Sequence, residues 1–108
     1  MRKIFVLYDN PRHDFSSVRK LGGEVKFIFS KHSLEGLTLD QCRRVLEEEL
    51  DKADLEKDLV VMNGPSYMSA IAGYIWLSQE RDKWNMVAWN TITREFELKG
   101  SQDITNGL

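Results

Sequence analysis

Apolar positions along this chain come in two rhythms, short continuous runs and helical stripes, and the two alternate along most of its length. Ile4 to Tyr8 is an unbroken run of strand-forming residues closed by the turn residues Asp9, Asn10 and Pro11, which predicts a central strand buried on both faces. Ser16 to Leu21 suits a short helix stopped by Gly22 and Gly23. A second strand is predicted over 24–30, where the early polar alternation fits a place nearer the sheet edge. Thr38 and Gln41 have capping-box spacing, and Leu39, Cys42, Val45, Leu46 and Leu50 then recur on one face of a helix.

Leu59 to Met62 is a third strand, and Asn63-Gly64-Pro65-Ser66 turns the chain into a helix over 67–79. On that helix Ala70, Ala72 and Gly73 would allow close approach to the sheet, while Met68, Ile71, Ile75 and Trp76 would fill the core. Trp84 to Trp89 is a fourth strand, and the alternation of Glu95, Phe96, Glu97 and Leu98 marks a half-exposed fifth strand over 94–99. Strands joined by helical crossovers favour a parallel sheet. The predicted fold is therefore α/β, a small Rossmann-like three-layer domain over residues 1–99. It has about five mainly parallel strands in the order 2-1-3-4-5, an antiparallel edge strand, and a frayed tail over 100–108.

With 108 residues, 42% of them apolar, the chain can bury a core without metals or disulfides. The single cysteine, Cys42, has no partner for a disulfide or a zinc site, which points to a reducing, cytoplasmic setting, and no metal or cofactor is implied. The run of five apolar residues before Asp9 is too short for a signal-peptide core. Residues 59–79 carry no charge, but the Asn63-Gly64-Pro65-Ser66 break suits strand, turn and helix rather than a membrane span. The net charge of −2 hides an asymmetry: residues 1–34 hold seven Lys/Arg against three Asp/Glu, and residues 35–58 hold four against nine. Neither block is a dense basic patch, which argues against a nucleic-acid polymer but leaves room for a smaller anion.

In an open α/β sheet, ligands collect at the carboxyl ends of the strands. Two loops are expected there. The first carries Asp9, Asn10, Arg12, His13 and Asp14 in close succession, enough for an anion clamp and a general base. The second carries Asn63, Gly64, Ser66 and Tyr67, with Gly64 allowing close backbone approach and Ser66 opening a helix whose free amides attract anions. The same residue types serve ordinary turns and helix starts, and Asp14 or Ser16 alone would suffice as caps. His32 is expected in a solvated loop, and Cys42 on the buried stripe of its helix. Trp76, Trp84 and Trp89 are expected in the core, and Tyr8 and Tyr67 at loop edges where they could stack on a ligand.

The segment Tyr8 to Ser16, the Asn63-Gly64-Pro65-Ser66 hinge before an Ala-rich helix and the closing hairpin around Trp89-Asn90 resemble small uncharacterised proteins of tailed bacteriophages. That resemblance implies a cytoplasmic accessory protein of an infected or lysogenic bacterium and assigns no residue a role. Asn63-Gly64-Pro65-Ser66-Tyr67-Met68 is also similar to the strand-to-helix signature of CRISPR-associated Rossmann-fold domains that bind cyclic oligonucleotides. Ser66 would stand for that family's hydroxyl, whereas Tyr67 replaces its lysine; the likeness implies a nucleotide-like ligand and a homodimer. Three functions follow in order: a noncatalytic module binding a small anionic ligand, an interaction factor binding a host or phage protein through a sheet edge or the acidic helix 38–53, and a His13-assisted phosphodiester-cleaving enzyme.

Overall fold

A computed structural model describes residues 1–54, 56–79 and 85–100. The elements follow in the order β1 (Lys3–Asp9), α1 (Ser16–Arg19), β2 (Glu24–Ser30), α2 (Lys31–Leu34), α3 (Leu39–Leu50), β3 (Leu59–Val61), α4 (Ser66–Ser78), β4 (Met86–Asn90) and β5 (Glu95–Gly100). They build one five-stranded sheet in the order β2-β1-β3-β4-β5. β2, β1, β3 and β4 are parallel, and β5 closes the far edge antiparallel to β4. The chain is thus the small Rossmann-like α/β domain its apolar rhythm predicts.

Alternate residues of β1 divide the core between the two faces of the sheet. Phe5 and Leu7 join Cys42, Leu46 and Leu50 of α3, Met68, Ala72, Ile75 and Trp76 of α4, and Phe29 and Val60. Ile4 and Val6 face the other way, with Phe15, Val18, Leu59, Val61, Val87 and Phe96. α1 supplies the only helical cover of this second face among the described residues, and the Ser17 hydroxyl ties it to β5 by accepting the Phe96 amide at 2.9 Å. The capping box that opens α3 forms as its spacing predicts, the Thr38 hydroxyl accepting the Gln41 amide at 3.2 Å and the Gln41 side chain accepting the Thr38 amide at 2.8 Å.

Four expectations change. Residues 31–34 form a one-turn helix rather than a loop, because Ser30 and Ser33 make a reciprocal capping box; His32 lies exposed on it. Leu39 sits in the first turn of α3 and is exposed, off the buried stripe. Ala70 faces outward and Gly73 has open space where a side chain would stand, so only Ala72 of the three small residues brings α4 close to the sheet. Gly100 ends β5, while Trp84 and residues 101–108, assigned above to the fourth strand and the tail, lie outside the described residues.

Candidate functional site

Because β1 and β3 are adjacent and parallel, the loops that follow them begin at the same end of the sheet. Asn63 joins them directly. Its side-chain oxygen accepts the Tyr8 amide at 3.0 Å and its side-chain nitrogen donates to the Tyr8 carbonyl at 2.6 Å, so a side-chain amide extends the strand pairing beyond Val61. Asn63 is buried, and both ends of its amide are used. Gly64 has φ of +90°, and a Cβ there would lie 2.8 Å from the Cβ of Tyr8. The close approach expected at this glycine is therefore made by Tyr8, a half-buried side chain that packs on the α3/α4 core.

The first loop is also occupied with itself. Asn10 accepts the Arg12 amide at 3.0 Å, and Asp14 accepts the Ser16 amide at 2.9 Å as α1 begins. That backbone bond, with the Ser16 hydroxyl and the nearby Lys20 and Arg19, holds the Asp14 carboxyl below its ordinary value. His13 turns onto the second face, where its ring centroid lies 5.2 Å from Trp89, 5.7 Å from Phe96 and 6.1 Å from Phe15. Its Nδ1 is buried with no hydrogen-bond partner. Ser66 instead opens α4, whose core residues pack on the first face, so His13 and Ser66 belong to opposite layers at one end of the sheet. Asp9, Arg12, Ser66 and Tyr67 are exposed, and α4 begins with no side-chain cap.

A concavity lies at the other end. α3 runs back along the sheet to the start of the strands, where the Lys3 ammonium donates to the Lys52 carbonyl at 3.1 Å and the Lys3 amide to Asp58 at 2.8 Å. There the ends of α3 and α4 enclose an open groove of about 700 Å³. One wall is Arg44, Glu47, Glu48 and Asp51 with Lys52 beyond them; the other is Tyr74, Ile75 and Ser78 with Gln79. The outer rim of that second wall continues along α4. Tyr67, Ala70, Tyr74 and Leu77 recur at i, i+3, i+7 and i+10, and all four are exposed: Tyr74 by 77%, Leu77 by 41% and Tyr67 by 39%.

This stripe departs from the usual division of a surface helix into an apolar inner and a charged outer face. α4 contains no charged residue at all, and the Tyr67-Ala70-Tyr74-Leu77 stripe on its outer face is apolar and aromatic over about three turns, with Ser66, Ser69 and Ser78 beside it. The signal was present in the uncharged run of residues 59–79, which leaves any helix within it without a charged outer face. No helix among the described residues is long and apolar enough to cross a membrane. The described residues also contain no cluster of His, Cys, Asp and Glu suited to a metal ion. Compared with protein-family models, curated proteins and solved structures, the chain finds no match.

Proposed function

We propose that this Rossmann-like domain is a noncatalytic interaction module that docks a protein partner on the outer face of α4. The observation that carries this reading is the exposed Tyr67-Ala70-Tyr74-Leu77 stripe on an uncharged helix, bordered by the α3/α4 groove. Contiguous apolar surface of this kind, rimmed by polar residues, marks association sites, and exposed tyrosines favour them through large area at low entropic loss. The strand-end loops, by contrast, spend Asn10, Asp14 and Asn63 on their own backbone. The resemblance to phage accessory proteins makes a bacterial or phage protein in the host cytoplasm the expected partner.

A second reading, a small or nucleotide-like anion held by Arg12 and the amides near Ser66, is favoured by the uncapped start of α4 and by an Arg12 that makes no ion pair among the described residues. Affinity capture from a host lysate, with bound proteins and small molecules both analysed, separates the two. Tyr74→Ser/Leu77→Ser should lose the protein that the wild-type domain retains, and Arg12→Ala should keep it. The reverse pattern would transfer the function to the strand-end loops.

A further inference from the structure

α3 breaks a rule of helix electrostatics at the groove. Its last turn holds Glu47, Glu48 and Glu49 and no basic residue, and Asp51 caps it, although the carboxyl end of a helix already carries partial negative charge. Part of this charge is balanced: Glu47 pairs with Arg43 at 2.7 Å and Glu49 with Lys52 at 3.2 Å. Arg44, the other cation on that wall, is drawn back to Asp40 at 3.1 Å. Glu48 and Asp51 make no ion pair among the described residues, and both line the groove opposite Tyr74 and Ile75. The Lys3 ammonium already sits at this end of the helix on the Lys52 carbonyl, so the unbalanced charge left at this wall is that of two carboxylates, Glu48 and Asp51. Beside it stands the exposed aromatic ring of Tyr74, flanked by Ser78 and Gln79.

Departures from local rules are expected where a surface serves a partner. We infer that the partner element seated in the α3/α4 groove is a cationic amphipathic protein segment. Its apolar side lies on the exposed ring of Tyr74, and a lysine or arginine reaches Glu48 and Asp51. This rests on the α4 docking reading and adds the chemistry of the partner to it. A cation placed there meets both carboxylates, and charge-assisted contacts of this sort are stronger than neutral ones. A flanking aromatic ring adds a cation-π face.

The test uses two labelled synthetic peptides of about four helical turns, one of Lys and Leu at amphipathic spacing and one with Glu in place of Lys. Fluorescence anisotropy gives affinity, and amide chemical shifts of the labelled domain locate binding. The Lys/Leu peptide should bind, shift the amides of residues 47–52 and 74–79, and weaken as salt rises. Glu48→Lys/Asp51→Lys should weaken it by about tenfold or more. The Glu/Leu peptide should bind far less. Equal binding of both peptides at these amides would overturn the cationic assignment and leave docking on α4 standing. Failure of both peptides to move these amides would overturn the two readings together. Concentration-dependent shifts at the same amides in the peptide-free domain, with a rise in mass to a dimer, would make the groove a self-interface and also overturn the assignment.

Discussion

Asn63 and Gly64 stand out in the sequence as turn residues after a buried strand, and the structure gives each a specific duty. The side-chain amide of Asn63 closes two backbone hydrogen bonds inside the protein. Asn63→Ala should therefore lower unfolding stability by about 2 kcal/mol, because both Tyr8 backbone groups lose their partner in a buried site. Gly64→Ala should destabilise by about 1–3 kcal/mol through its left-handed φ and the contact with Tyr8. Denaturant titrations would check both. What the sequence could not show was the occupant of the space above Gly64, since the turn motif is the same whether a ligand or a tyrosine fills it. His13 is the complementary case. Its flanking charges suggested catalysis, whereas its ring lies among Phe15, Trp89 and Phe96 with Nδ1 unpartnered. His13→Phe should fold with equal or greater stability in a thermal melt; a large loss would mean that the imidazole is bonded in a way the packing does not reveal. Cys42 was readable from its helical stripe: it is buried, burial pushes its thiol pKa up, and native protein should react with thiol reagents far more slowly than unfolded protein.

At the scale of elements, the period of the apolar pattern was sufficient for nearly every strand and long helix. The capping box at Thr38 and Gln41 fixed the start of α3 to the residue. α2 escaped because a single turn built on a serine pair carries no period. The inner side of α4 was legible, since Met68, Ala72, Ile75 and Trp76 face the core as expected, but an apolar helix has little contrast between faces, so Ala70 was set against the sheet and the exposure of Tyr74 and Leu77 was not visible. The acidic end of α3 gives a test at this scale. If its charges are kept for a partner at the expense of the helix, Glu48→Lys or Asp51→Lys should raise stability by about 0.3–1 kcal/mol while weakening partner binding. Thr38→Ala, at the other end, should cost about 1 kcal/mol with binding unchanged. Paired melts and binding curves on the three variants would separate the effects.

For the whole molecule, a mostly parallel sheet puts the strand-end loops and the α3/α4 groove at opposite ends, so the sites named by the two readings can be altered independently. The fold also predicts a response to acid. Asp14, held by Ser16, Asp40, held by Arg43, and Glu97, held by Asn90, all have lowered carboxyl pKa values. Their stabilising contribution is complete above the unfolded-state values and is lost as pH falls through the lower folded-state values, so the melting temperature should be flat above about pH 5 and decline below about pH 4. Asp40→Asn should show a shallower decline in pH-dependent melts. The central claim, that the working surface is the outer face of α4, is tested most directly by photo-crosslinking in cells that express the protein, with a photoreactive phenylalanine analogue placed at Tyr74 or at Arg12. The account predicts a discrete adduct to one protein partner from position 74, reduced by Glu48→Lys, and no protein adduct from position 12. Adducts from position 12 with none from position 74 would contradict it.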